Sequence, residues 1–117
     1  MRCVTYKRIS TQHQDIENQT DAINKQIELL DWQCVAEYSE VISGTKSRDT
    51  RPELRRLLAD ARKRKFDRVI VYELSRLGRS IVDVINTIHE LEEVGVNIFV
   101  VKNGIDTSTS QGKIFAN

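Results

Sequence analysis

Two short stretches of this sequence combine arginine with a hydroxyl residue or a second arginine, at spacings that suit chemistry on a phosphate ester. Arg8 stands two residues before Ser10, and Arg76 stands three residues before Arg79. A serine hydroxyl becomes a nucleophile when a base removes its proton. The guanidinium group of arginine stays charged and fits phosphate oxygens, so several arginines together stabilise the charge that develops as phosphorus is attacked. These residue types predict phosphoryl transfer.

A third polar stretch between them supplies Ser43, Arg48 and Arg51. Simpler interpretations stay open, because a serine just before a helix is commonly a cap and arginines on short loops are commonly solvated. His13 lies three residues after Ser10 and is a candidate base for it. P-loop, dinucleotide-binding and zinc-protease motifs are absent, and acidic residues do not cluster here as a two-metal site requires. The pattern therefore predicts a site without metal or nucleotide.

Hydrophobic periodicity predicts how these stretches are positioned. Short β-branched runs alternate with apolar stripes of helical spacing, which gives the order β-α-β-α-β-α-β. Thr50 with Glu53, and Ser80, mark two helix starts, and Gly95 fits the position just past a helix end. The order predicts one α/β domain with a mostly parallel central sheet and helices on both faces. Strands are predicted over residues 2–6, 33–41, 69–72 and 96–101, and the first helix over residues 14–31.

The carboxyl ends of parallel strands meet at one edge of a sheet, and ligands bind outside that edge. The segments that follow the first three predicted strands are residues 7–14, 42–49 and 73–79. They leave the same edge, so we expect their arginines and Ser10 to lie close together although they are far apart in the sequence.

The net charge argues against a polyanionic partner, but its distribution favours one. The 117 residues are 39% hydrophobic and 30% charged, and the formal net charge is +1. Residues 46–79, however, hold 12 Lys and Arg against 5 Asp and Glu, a basic segment of the kind that binds a nucleic-acid backbone. The basic run of residues 62–65 also fits a solvated helix end.

The two cysteines, Cys3 and Cys34, form no CxxC motif and are predicted to be reduced thiols in the core. No stretch has the apolar length of a signal peptide or a membrane span. We therefore expect a soluble, cytoplasmic protein without membrane contact.

Four motifs between residues 6 and 112 carry a more specific signal. They are Tyr6-Lys7-Arg8-Ile9-Ser10-Thr11 with Gln19, Ser43-Gly44 with Arg51-Pro52, Glu73-Leu74-Ser75-Arg76-Leu77-Gly78-Arg79-Ser80, and Gly104-Ile105-Asp106-Thr107-Ser108-Thr109 with Gly112. In this order and spacing they resemble the serine site-specific recombinases, the resolvase/invertase family. The resemblance implies the resolvase-like three-layer fold of that family's N-terminal catalytic domain.

The resemblance also implies a mechanism. Ser10 would attack a DNA phosphodiester, form a 5′-phosphoserine bond to DNA and release a 3′-hydroxyl, and the reverse reaction would rejoin the DNA to a new partner. Because the ester conserves the bond energy, the mechanism involves neither ATP nor a metal. By the family's pattern, the residues that bind phosphate are Arg8, Arg76, Arg79 and Arg51, with Arg48 as a nearby extra candidate and Gln19 and Ser43 at supporting polar positions.

The partners that the resemblance implies are double-stranded DNA and a second copy of the chain, with two such homodimers pairing into a synaptic tetramer. The setting would be the cytoplasm of a prokaryotic cell, with a mobile element, plasmid or phage as the source. Residues 1–117 would be the catalytic domain, ending at the start of the long C-terminal dimerisation helix and without the DNA-binding domain.

One position departs from the family's pattern. Many members have Asp immediately before the first arginine of the Arg-Leu-Gly-Arg segment, where this chain has Ser75. The general acid therefore stays unassigned, and so does the base, because an arginine is a poor proton acceptor. Two rival functions stay open: a phosphatase or nuclease that uses the arginine pocket with water as the final acceptor, and a binding module that has lost its chemistry, which Ser75 keeps open.

Overall fold

Strands and helices alternate along the chain, as the hydrophobic periodicity predicts. The computed structural model describes residues 2–9, 13–41, 52–77 and 80–107. In chain order the elements are β1 Arg2–Ile9, α1 His13–Leu30, β2 Gln33–Val41, α2 Pro52–Arg62, β3 Arg68–Val71, a 3-10 helix Leu74–Leu77, α3 Ile81–Glu93, β4 Asn97–Val100 and β5 Ile105–Asp106.

The strands form one sheet in the order β2-β1-β3-β4-β5. The first four are parallel, and β5 pairs antiparallel with β4. The predicted mostly parallel sheet is therefore confirmed, and the two-residue strand β5 is an addition to it. The strand order reverses between the neighbours β1 and β3, because the chain first adds β2 on one side of β1 and then β3 on the other.

Helices cover both faces of the sheet, which confirms the predicted three layers. On one face, Cys3 of β1 and Ile70 of β3 pack with Ile23 of α1. On the other face, Tyr6 of β1 belongs to a larger cluster with Leu57 of α2. Successive residues of a strand point to opposite faces, so β1 contributes to both cores and is buried along most of its length.

The local signals around α3 are confirmed. Ser80 is the N-cap, and its side-chain oxygen accepts a hydrogen bond from the backbone nitrogen of Asp83 at 3.2 Å. Gly95 follows the helix end with φ +80°, a left-handed conformation that glycine adopts without steric cost. Thr50 lies outside the described residues. Its predicted partner Glu53 binds the guanidinium of Arg56 at 2.8 and 3.1 Å.

The end of β1 and the exposure of one cysteine differ from the sequence-based expectation. β1 extends to Ile9 instead of ending at residue 6, because its pairing with β2 continues to Ile9 and Val41. Cys3 is buried as predicted, but Cys34 is exposed, because β2 is the edge strand of the sheet. Both thiols are free, as predicted. None of the described helices has the length and apolar character needed to span a bilayer.

Candidate active site

The carboxyl ends of β1 and β3 form the centre of the candidate site. These strands are neighbours at the point where the strand order reverses, which is where open α/β sheets bind their ligands. Arg8 is the penultimate residue of β1, and Arg76 lies in the 3-10 helix that follows β3. Nη1 of Arg76 donates a hydrogen bond to the carbonyl oxygen of Arg8 at 3.4 Å. The structure therefore brings together two of the residues predicted to bind phosphate.

Arg76 is held by the carboxylate of Glu73, with Nη2 and Oε2 3.2 Å apart. Lys102, which follows β4, donates from Nζ to the other oxygen, Oε1, at 2.8 Å. The hydroxyl of Ser75 donates to Oε2 at 3.4 Å. The hydrogen bond from Lys102 and the positive charge of Arg76 lower the pKa of Glu73, which is therefore ionised at neutral pH. Glu73 was not among the residues predicted from the sequence, although its spacing of three residues from Arg76 is visible there.

Glu40 is a buried carboxylate beside the site that the sequence analysis missed. It is the register partner of Arg8 on β2 and is only 7% exposed. Its Oε1 accepts hydrogen bonds from the hydroxyl of Tyr6 at 3.2 Å and from the backbone nitrogen of Leu54 at 2.7 Å. Leu54 lies in the first turn of α2, where unpaired amides and the helix dipole favour a negative charge. Glu40 thereby fixes the start of α2 against the edge where Arg8 lies.

Gln19 is completely buried in α1. α1 covers the face of β1 that carries Lys7, whose Nζ donates to the hydroxyl of Thr20 at 3.3 Å and pairs with Glu37 at 3.5 Å. Arg8 follows Lys7 in the strand and so faces the opposite side of the sheet. The structure thus places Gln19 in the α1 layer, and its supporting role at the site stays a prediction.

The other predicted site residues lie outside the described part of the chain, and their roles stay predictions. The described residues next to them in sequence, Ile9, Pro52 and Ser80, lie at the carboxyl edge of the sheet. Over the described ranges, no three His, Cys, Asp or Glu residues are grouped so that they could hold a metal ion. The predicted residues in question are Ser10, Ser43, Arg48, Arg51, Arg79 and the side chain of His13.

The described part of the basic segment, residues 52–77, reaches both edges of the sheet. Residues 62–65 begin with the last residue of α2 and lead toward β3, so they lie at the amino edge, opposite Arg8 and Arg76. The carbonyl oxygen of Arg64 there accepts a hydrogen bond from Nη2 of Arg2, at the start of β1. Arg62 also pairs with Glu90 at 2.7 Å. The helix-end interpretation therefore fits residues 62–65.

Comparisons with known proteins agree on one family. A family model described as "Resolvase, N terminal domain" matches residues 3–117. The serine recombinase gin of Escherichia phage Mu is 36% identical over 112 residues, which are 96% of this chain and 53% of that protein. The DNA-invertase hin of Salmonella typhimurium is 33% identical over 115 residues, which are 98% of this chain and 55% of that protein. The chain thus spans about half the length of these relatives.

Solved structures give the same result. The crystal structure of the N-terminal catalytic domain of TP901-1 integrase superposes with a TM-score of 0.84 at 31% sequence identity. The superposition covers 99% of this chain and 88% of that domain.

Proposed function

This chain belongs to the resolvase N-terminal domain family, the catalytic domain of serine recombinases, and on that premise we propose that it cleaves and rejoins DNA through Ser10. Oγ of Ser10 attacks the phosphorus of a DNA phosphodiester, so that an Oγ–P bond forms and the P–O3′ bond breaks. The hydroxyl loses its proton to a base, and the departing 3′-oxygen takes one up. Rejoining reverses these steps with the 3′-hydroxyl of another strand.

The observation that carries the proposal is the contact between Arg76 and the end of β1. Arg8 precedes Ser10 by two residues, and its carbonyl oxygen accepts the hydrogen bond from Arg76. A guanidinium anchored at that position lies at the end of β1, where the chain is two residues before Ser10 in the sequence. Arginine charge next to a phosphorus under attack stabilises the transition state. Arg79 and Arg51 complete the phosphate pocket, and Arg48, Ser43 and Gln19 support it.

The substrate in this proposal is double-stranded DNA, which the catalytic domain meets as part of a longer protein. Two copies form a homodimer, and two homodimers pair into a synaptic tetramer that exchanges strands. The named relatives include a phage recombinase and a bacterial DNA-invertase, which supports action in the cytoplasm of a prokaryotic cell on mobile DNA.

The test uses the full-length protein that contains this chain. It is incubated with a supercoiled plasmid carrying the DNA that flanks its own gene, and the reaction is quenched with denaturant. We expect a covalent protein–DNA adduct whose DNA resists a 5′-exonuclease, whereas its 3′-hydroxyl is extended by terminal transferase. Ser10→Ala should form no adduct.

The matched control is Ser39→Ala, which removes a hydroxyl from an exposed position of β2. It should form the adduct as the wild type does. An adduct that persists in Ser10→Ala would refute the assignment of Ser10 as the nucleophile. Nicked DNA without any adduct would favour the nuclease alternative.

A further inference from the structure

The anchoring of Arg76 depends on a carboxylate at an unexpected position. In the Arg-Leu-Gly-Arg segment the residue before the first arginine is Ser75, which carries no charge. Two residues earlier, Glu73 supplies a carboxylate that contacts Nη2 of Arg76 at 3.2 Å. Ser75 points to the same group, because its hydroxyl donates to Oε2 of Glu73 at 3.4 Å. Oε2 of Glu73 therefore contacts both Ser75 and Arg76.

The backbone reinforces this contact. The amide nitrogen of Arg76 donates to the carbonyl oxygen of Glu73 at 3.1 Å, so a turn and an ion pair join the same two residues. The Arg76 and Glu73 side chains are 20% and 25% exposed, which limits screening by water. On the far side, Nη1 of Arg76 donates to the carbonyl oxygen of Arg8. The guanidinium is thus fixed from two directions.

The second oxygen of the carboxylate is also occupied. Nζ of Lys102 donates to Oε1 of Glu73 at 2.8 Å, and Lys102 reaches it from the chain that follows β4. Two cations on one carboxylate keep it ionised and fix its orientation. Glu73 therefore contacts one cation from the segment after β3 and one from the segment after β4.

We propose that Glu73 is the positioning residue for Arg76: its carboxylate, fixed by Lys102 and Ser75, orients the guanidinium toward the DNA phosphate. This inference rests on the proposed function for its catalytic consequence. Precise placement of a charged group matters because a displacement of about 1 Å can cost roughly 100-fold in rate. Glu73 acts through Arg76 and transfers no proton itself.

A carboxylate introduced at a neighbouring position should rescue the loss of Glu73. In Glu73→Ala the carboxylate is lost, and the space it leaves adjoins the side chain of Ser75, which touches it in the wild type. An aspartate at position 75 then places a carboxylate next to the vacated position. Glu73→Ala/Ser75→Asp should therefore restore the partner of Arg76, which a purely structural role of Glu73 does not predict.

The activity test measures single-turnover cleavage with the full-length protein at saturating concentration on the plasmid described above, together with DNA affinity and thermal unfolding. We expect Glu73→Gln and Glu73→Ala to slow adduct formation by about 10- to 100-fold while DNA affinity changes little. The double variant should recover most of the rate. The control Glu90→Gln breaks a Glu–Arg pair at the amino edge and should cleave as the wild type does.

A second measurement is independent of activity. Amide and guanidinium NMR of the same variants reports whether the Arg76 side chain is rotationally restricted. Wild type and the double variant should show resolved Arg76 Hη signals at low temperature, and these should collapse in Glu73→Gln. The inference would be overturned if a folded Glu73→Gln variant cleaved at the wild-type rate with unchanged Arg76 signals. It would also be overturned if the folded double variant did not recover its cleavage rate. If the wild type forms no Ser10-dependent adduct but the Arg76 signals behave as stated, the proposed function fails and the positioning contact stands.

Discussion

Arg76 donates a hydrogen bond from Nη1 to the backbone carbonyl oxygen of Arg8 at 3.4 Å, although 68 residues separate them in the sequence. The contact exists because β1 and β3 are neighbours in the sheet and both end at the same edge. It links the strand that leads to Ser10 with the 3-10 helix that leads to Arg79. The fold thereby places two remote arginine-bearing segments at one position.

Glu40→Gln should lower the free energy of unfolding by about 1–3 kcal/mol. The Glu40 side chain is buried and accepts hydrogen bonds from Tyr6 and from the backbone of Leu54, and a carboxylate accepts such bonds more strongly than the amide that replaces it. Urea unfolding at neutral pH measures the change. Glu37→Gln, on the same strand but 65% exposed, is the control and should change the value by less than about 1 kcal/mol. Equal losses in both variants would contradict the role of Glu40 at the start of α2.

Asp106→Asn should destabilise the protein by about 3 kcal/mol, because it removes a negative charge that contacts a buried arginine. Nη1 of Arg68 lies 2.6 Å from Oδ2 of Asp106, and their side chains are 8% and 20% exposed. The Arg68 guanidinium also lies 4.7 Å from the centre of the Trp32 ring, so tryptophan fluorescence should report the change. Asp67→Asn removes the exposed pair with Arg2 and should cost less than about 1 kcal/mol. A loss no larger than that of Asp67→Asn would show that the pair does not anchor β5.

The two thiols should differ in reactivity toward an alkylating reagent. Cys34 is exposed, whereas Cys3 is fully buried, and burial raises the pKa of Cys3 to about 11. Since the thiolate is the reactive form, the native protein should be labelled at Cys34 first, and Cys3 should react only after unfolding. Peptide mapping after timed alkylation distinguishes the two sites. Comparable labelling of both cysteines in the native protein would contradict their placement.

The free energy of unfolding should be greatest between roughly pH 4 and pH 10. Asp60 contributes to the acid limit and Tyr38 to the alkaline limit. The Tyr38 hydroxyl donates to Oδ2 of Asp60 at 2.6 Å, which lowers the pKa of the carboxyl, and Lys65 lowers it further. This stabilisation is present above the ordinary pKa of Asp and is lost as pH falls through the lowered value. Burial and the same hydrogen bond raise the pKa of Tyr38, so its contribution is lost only as pH rises beyond the ordinary pKa of Tyr.

Urea unfolding across this range, with Asp60→Asn as the comparison, measures the effect. The variant should lose less stability than the wild type as pH falls below about 4. Parallel curves for the two proteins would show that Asp60 does not contribute.

The sequence predicted the features that depend on repeated local patterns. Strand and helix order, the cap at Ser80 and the glycine after α3 each follow from spacing or from backbone preference. The meeting of Arg8 and Arg76 followed from the rule that parallel strands share a carboxyl edge. These features required no knowledge of individual side-chain contacts.

Features that depend on tertiary contacts were not predictable in the same way. β5 has two residues and is defined by its pairing with β4, so no periodicity marks it. Cys34 is exposed because β2 is an edge strand, which its own residues do not reveal. Glu40 and Glu73 are single carboxylates whose roles come from partners on other elements, namely Leu54 and Lys102.

The most direct test of the central claim is to locate the bond between protein and DNA. The quenched adduct is digested with nuclease and trypsin and analysed by tandem mass spectrometry. Cleavage after Arg8 and Lys25 yields a peptide of residues 9–25. We expect this peptide to carry a nucleotide phosphate on Ser10. A phosphate attached to Thr11, Thr20 or any residue outside this peptide would contradict it.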